Sequence, residues 1–94
     1  MPENQINGRS LAAIAKDVAE GFVTFNPQFL KRFNADNYKT LRQFLQKTQK
    51  EIRAEIFPTN DILSIRKRNI RLQRLHQAVT VVEYSAREKK IPLL

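Results

Sequence analysis

With 94 residues, this chain has room for one domain with a modest hydrophobic core. It contains no cysteine, which excludes disulfide bonds, thiol catalysis and thiolate metal sites. The net charge is +8, and its surplus is uneven, because residues 1–30 hold two basic and three acidic residues while residues 31–94 hold fifteen and six. This asymmetry favours a polyanionic partner: nucleic acid, an anionic membrane or an acidic protein.

The N-terminal third predicts a loose lead-in followed by an amphipathic helix. Residues 1–9 are polar and include the turn pair Asn7-Gly8, and Ser10 is suited to cap the helix that follows. Apolar residues then recur at spacings of three and four, which places them on one buried face. These residues are Leu11, Ile14, Val18, Phe22 and Phe25.

The middle of the chain predicts a short helix and then a long one. Pro27 suits a first helical position, so we expect a helix from Pro27 to about Phe33 with Phe29 and Leu30 turned inward. Asn34 or Asp36 can cap a third helix over residues 36–57. Its apolar residues again follow helical spacing: Tyr38, Leu41, Leu45, Thr48, Ile52 and Ile56, flanked by Phe44.

The last third predicts one uninterrupted helix over residues 62–90, followed by a tail at 91–94. We expect Thr59 or Asn60 to cap it, with Asp61 at its positive N-terminal end. It carries two apolar stripes, which suits a rod packed between neighbours or a subunit interface. The main stripe is Ile62, Ile65, Leu72, Leu75, Val79 and Val82, and the second stripe is Leu63, Ile70, Val81 and Tyr84.

These elements predict a single all-α domain over residues 1–94. We expect a small bundle of about four helices in which the two long C-terminal helices are antiparallel. No signal sequence is visible, and the longest uncharged run, residues 21–30, is about half of the roughly 20 residues that a bilayer requires. We therefore expect a cytoplasmic protein without a membrane span.

Basic residues on the two long helices are the strongest indication of function. Five lie within little more than two turns of the last helix, and the third helix adds three more. We predict that these cations bind a nucleic-acid backbone without sequence preference, as part of a larger protein or ribonucleoprotein assembly. The predicted contact residues are Arg66, Lys67, Arg68, Arg71, Arg74, Lys47, Lys50 and Arg53. A solvated face, neutralised by Glu51, Glu55 and Asp61, is the simpler interpretation.

Other interpretations remain open at this stage. The second apolar stripe could dock a partner helix or another subunit, as in an adaptor or chaperone, and a basic amphipathic helix could lie on a membrane surface. Residues 14–33 weakly suggest a helix-turn-helix, with Gln28, Lys31 and Arg32 as base-reading candidates. Four phenylalanines at helical spacing, residues 22, 25, 29 and 33, predict core packing over base stacking.

Catalysis and metal binding are not predicted. His76 is the single histidine, and without cysteine or a second histidine it cannot form an ordinary zinc site, so we expect a boundary position. Asn69 could fix helix register or oligomeric state if it is buried. No nucleophile, phosphate-loop or cofactor pattern is present, so we predict a non-enzymatic protein without a cofactor.

Overall fold

The protein is a small all-α bundle, as predicted. The computed structural model describes residues 5–6, 9–31, 33–56 and 61–92. This part of the chain forms four helices preceded by a two-residue antiparallel pairing of Gln5–Ile6 (β1) with Arg9–Ser10 (β2), which the sequence did not predict. The helices are α1 (Leu11–Ala19), α2 (Pro27–Leu30), α3 (Ala35–Ala54) and α4 (Ile62–Glu88).

Polar side chains cap the first three helices, at the predicted Ser10 and Asn34 and also at Asn26, which precedes the predicted first position Pro27. The Ser10 hydroxyl accepts a hydrogen bond from the Ala13 amide at 3.1 Å, and the Asn26 carboxamide accepts one from the Phe29 amide at 2.8 Å. Asn34 and Asn37 cap each other's backbone amides reciprocally, at 2.8 and 3.1 Å, so Asn34 is the cap of α3 and not Asp36. Each cap satisfies an amide that has no partner within its helix.

Asp61 caps α4 and lies at its positive N-terminal end as predicted, although the cap itself was predicted at Thr59 or Asn60. Its carboxylate accepts hydrogen bonds from the Ser64 hydroxyl at 2.7 Å and from the Ser64 amide at 3.1 Å. The hydrogen bond from the Ser64 hydroxyl has the larger effect and the one from the Ser64 amide the next. Both hold the pKa of Asp61 below its ordinary value, because they stabilise the charged form. The alternative caps, Thr59 and Asn60, lie outside the described residues.

Helix α1 ends at Ala19, earlier than the apolar spacing predicted. Gly21 adopts a φ of +84°, and the amides of Gly21 and Phe22 close back onto the carbonyls of Val18 and Asp17 at 3.1 and 2.8 Å. This is a Schellman motif, which reverses the chain direction. The prediction that Phe22 lies in the core is therefore wrong, since its side chain is 78% exposed.

The same motif ends α4, with a lysine at the position that usually requires glycine. Lys90 has a φ of +59°, its amide donates to the Arg87 carbonyl at 3.0 Å, and the Ile91 amide donates to the Ala86 carbonyl at 2.8 Å. Ile91 packs against the core, so the predicted tail at 91–94 begins with an anchored residue, and residues 93–94 lie outside the described part.

The core lies where α1 crosses the antiparallel pair of α3 and α4. It contains Leu11, Ile14 and Val18 from α1, Tyr38, Leu41, Leu45 and Ile52 from α3, and Leu75, Val79 and Val82 from α4. Phe25, Phe29, Phe33 and Tyr38 form a row of ring contacts with centroids 5.3 to 5.9 Å apart. Core packing, the interpretation favoured for the phenylalanines, therefore holds for residues 25, 29 and 33.

A partly buried polar cluster joins α2 and α3 to the C-terminal half of α4. The Tyr38 hydroxyl donates to the Leu30 carbonyl at 3.3 Å and shares a 2.7 Å hydrogen bond with the Ser85 hydroxyl. The Lys89 ammonium donates to the Leu30 and Lys31 carbonyls at 3.2 and 3.1 Å, and lies 5.2 Å from the Tyr38 ring centroid. These contacts fix the short α2 against the long helices.

The first turns of α4 extend past the ends of the neighbouring helices. Helix α3 ends at Ala54 rather than at residue 57, and Glu55 already contacts Arg71 across the helix pair. Apolar side chains that were predicted to be buried are consequently exposed: Ile56 (98%), Ile62 (64%) and Ile65 (36%). The main stripe of α4 is thus a core face only from Leu72 onward.

Candidate nucleic-acid interface

The five basic residues predicted to form one ridge on α4 divide into two groups. Arg66 and Lys67 lie on the extended first turns, where their side chains are exposed. Within the described part of the chain, neither is engaged in an ion pair. Arg68, Arg71 and Arg74, by contrast, contact the rest of the bundle or lie partly within it.

Arg71 joins three helices through ion pairs. Its Nε lies 3.2 Å from Glu20 Oε1, just after α1, and its Nη1 lies 3.4 Å from Glu55 Oε2, just after α3. The Nε contact is an ion pair by distance but falls short of hydrogen-bond geometry, since Nε has no hydrogen-bond partner. The side chain of Arg71 is only 22% exposed, so it serves first to hold the ends of α1 and α3 to α4.

Arg74 contacts the C-terminus of α1. Its Nη1 donates a 3.0 Å hydrogen bond to the Ala19 carbonyl, one of the last carbonyls of that helix. A cation at this end also interacts favourably with the negative end of the helix dipole. Arg68, one and a half turns earlier, is half-buried with its Nε shielded from solvent, and it also has an interaction partner.

The three predicted residues of α3 form an exposed basic face. Lys47, Lys50 and Arg53 are all exposed, and in the described part of the chain none of them is in an ion pair. At about 100° per residue they span roughly 120° of α3, centred on the side opposite Leu41, Leu45 and Ile52. They also cover about 9 Å along the helix axis.

Two of the three carboxylates that could neutralise this surface are occupied elsewhere. Glu55 turns to Arg71, and Asp61 caps α4 through Ser64. Glu51 is exposed and, among the described residues, makes no ion pair. Among the described residues, Glu51 is therefore the one carboxylate of the three that remains available to the cations on the outer face of α3.

The remaining candidate residues lie in ordinary surface positions. His76 and Asn69 are both exposed. Because Asn69 is not buried, it does not meet the condition under which it could fix helix register. Helix α2 has only four residues, Pro27–Leu30, which is too short for the recognition helix of a helix-turn-helix. Arg32, one of its proposed base-reading residues, lies outside the described residues.

Neither a metal site nor a membrane-spanning helix is found among the described residues. They contain no group of histidine or acidic side chains arranged to bind a metal ion. No helix among them combines the length and the apolar character needed to cross a bilayer.

Comparison with protein families, with characterised proteins and with solved structures finds no match for this chain.

Proposed function

We propose that the protein binds nucleic-acid backbones through the outer face of α3, without sequence preference and as a non-enzymatic subunit. One observation carries the proposal: Lys47, Lys50 and Arg53 are exposed on the side of α3 that faces away from the core, and none of them is in an ion pair among the described residues. Duplex DNA carries a charge about every 1.7 Å along its axis, so a face of about 9 Å lies opposite several phosphates.

Arg66 and Lys67 add two further exposed cations, at the first turns of α4, to the proposed contacts. They are exposed and unpaired within the described chain, whereas Arg71 and Arg74 already hold α1 in place. We therefore assign direct phosphate contacts to five residues: Lys47, Lys50, Arg53, Arg66 and Lys67. The contribution of Arg68, Arg71 and Arg74 is indirect: Arg71 and Arg74 hold helix ends together, Arg68 is half-buried, and all three add to the positive field of the bundle.

Salt dependence of binding tests this proposal. If five phosphates are neutralised, the logarithm of the affinity for a short fluorescent duplex falls with the logarithm of salt concentration at a slope of about −4.5. Replacing Lys47, Lys50 and Arg53 together with glutamine removes three of these contacts. The slope should then become shallower by about 2.7, because each contact contributes about 0.9.

A matched triple variant separates a defined surface from overall charge. Lys16, Lys31 and Arg87 are also exposed, and their replacement by glutamine lowers the net charge by the same three units. We expect this control to retain a slope within about one unit of the original, which is close to a single phosphate contact. Equal losses in both variants, or no binding of either DNA or RNA at low salt, would refute the proposed surface.

A second candidate function is protein association through α4. Leu63, Ile70 and Tyr84 of the second stripe are 75%, 47% and 58% exposed, while Val81 packs against the core. Exposed apolar side chains grouped on one element are typical of a docking surface. Analytical ultracentrifugation of the original chain and of a Leu63→Ser, Ile70→Ser double variant tests self-association. A lower mass for the variant than for the original chain supports it, and a monomeric mass for both proteins contradicts it.

We further propose a cytoplasmic location, which fits a chain without cysteine.

A further inference from the structure

A groove of about 480 Å³ lies between the end of α1, the segment that follows it and the middle of α4. This volume is within the range of small-molecule sites, roughly 300–1,000 Å³. Its lining is mainly aliphatic and aromatic, with contributions from both sides of the groove. The apolar lining residues are Val18, Val23, Phe25, Ala78 and Val81.

Arg74 is the permanently charged residue of this lining. The other polar side chains of the lining are Thr24, His76, Gln77 and Thr80, of which the threonines and the glutamine are uncharged. Among the described residues, no carboxylate forms an ion pair with Arg74, and the nearby Glu20 is held by Arg71 at 3.2 Å. The groove therefore combines an apolar wall with one permanent positive charge that no carboxylate among the described residues pairs with.

The backbone holds the Arg74 guanidinium in place. One of its N–H groups donates to the Ala19 carbonyl at 3.0 Å, and its plane lies against Gly21, where an added Cβ would come within 3.0 Å of Cζ. A guanidinium offers five N–H donors, so this anchor leaves others for a ligand. Because the group is already ordered, a ligand loses little additional side-chain entropy on binding to it.

We propose that this groove binds a small carboxylate-bearing amphiphile, such as a medium-chain fatty carboxylate. The carboxylate pairs with Arg74, whose fork geometry suits two parallel N–H···O hydrogen bonds, and the apolar body lies along Val23, Phe25 and Val81. Charge complementarity selects an anion over a neutral or cationic ligand of the same shape. This site is separate from the α3 face that we propose for nucleic acid.

Two fluorescent probes that differ in one charged group test the proposal. Anilinonaphthalene sulfonate carries the anion together with an apolar ring system, and N-phenyl-1-naphthylamine lacks the sulfonate. We expect the sulfonate probe to bind one site at least about tenfold more tightly than the neutral probe, a ratio that corresponds to about 1.4 kcal/mol. Decanoate should displace it in competition. Equal affinities for the two probes, or no displacement by decanoate, would overturn the proposal.

Variants of Arg74 test whether its positive charge binds the anionic probe. Arg74→Met should lower the affinity for the sulfonate probe to that for the neutral probe, and Arg74→Lys should retain part of the difference because it keeps the charge. Arg87→Met, an exposed arginine on the same helix outside the groove, is the matched control and should bind like the original chain. Unchanged binding by Arg74→Met would refute the site.

A second variant keeps the test decisive if Arg74→Met unfolds. Val81→Glu introduces a carboxylate into the partly buried wall and should abolish binding of the anionic probe while the circular dichroism spectrum stays helical. Amide chemical-shift changes on addition of decanoate should fall on Val18, Thr24 and Ala78. Shifts confined to Arg66 and Lys67 would show that the anion binds the exposed cations instead, which would also overturn the proposal.

Discussion

Replacing Lys90 by glycine should give a more stable protein than replacing it by alanine, because Lys90 occupies the left-handed position of the Schellman motif that ends α4. Its φ is +59°, a conformation that costs an L-residue with a side chain roughly 1–2 kcal/mol. Glycine avoids this cost. It also makes the unfolded chain more flexible, which favours unfolding by about 0.4–1 kcal/mol and offsets part of the gain. The net conformational gain is therefore about 0.5–1 kcal/mol.

Loss of the lysine charge must be separated from this gain. A cation near a helix C-terminus contributes about 0.3–1 kcal/mol, so the informative comparison is Lys90→Gly against Lys90→Ala, both of which lack the charge. We expect glycine to be the more stable of the two by about 1 kcal/mol, or roughly 4–8 °C in Tm for a domain of this size. Thermal unfolding followed by circular dichroism measures the difference.

Gly21 provides the opposite perturbation in the matching motif at the end of α1. Gly21→Ala places a Cβ at a φ of +84° and within 3.0 Å of Arg74 Cζ, so it should destabilise by about 1–2 kcal/mol or more. Equal stability of Lys90→Gly and Lys90→Ala, with no loss in Gly21→Ala, would show that the left-handed terminations are not kept in solution and would refute the reasoning.

Two further predictions concern polar groups that position the helices. Tyr38→Phe removes a fully buried hydroxyl that contacts the Leu30 carbonyl and Ser85, and should lower the free energy of unfolding in urea by about 1–2 kcal/mol. A double-mutant cycle with Ser85→Ala should then show coupling, whereas additive effects would contradict the 2.7 Å hydrogen bond. Since the pKa of Asp61 is lowered in the folded state, its contribution to stability is present above its unfolded value of about 3.8 and is lost as the pH falls through the lower folded value. Asp61→Ser keeps a cap but cannot titrate, so its unfolding free energy should change less between pH 5 and pH 2 than that of the original chain, and identical profiles would contradict this assignment.

Local sequence signals located the helix starts because their physical cause is local. Ser10, Asn26 and Asn34 each satisfy an amide three residues ahead, which requires no information from the rest of the chain. The sequence predicted the cap of α4 at Thr59 or Asn60, but Asp61 follows them directly and has equivalent capping chemistry. In the structure, Asp61 caps the helix.

Apolar spacing predicted which residues share a face, but not what covers that face. Leu75, Val79 and Val82 are buried because α1 and α3 lie against them, whereas Ile62 and Ile65 have the same spacing and remain exposed beyond the ends of those helices. How far a buried face extends depends on the lengths and relative positions of its neighbours. Neither quantity can be read from the periodicity of one helix.

The basic surface shows the same division between sequence and tertiary structure. Its amino acids fix a net charge of +8 and place Lys47, Lys50 and Arg53 on the polar side of an amphipathic helix, because charge and helical phase follow from residue order alone. Only the packing of α1 decided that Arg71 pairs with Glu20 and that Arg74 caps a helix end, since those partners are more than fifty residues away along the chain.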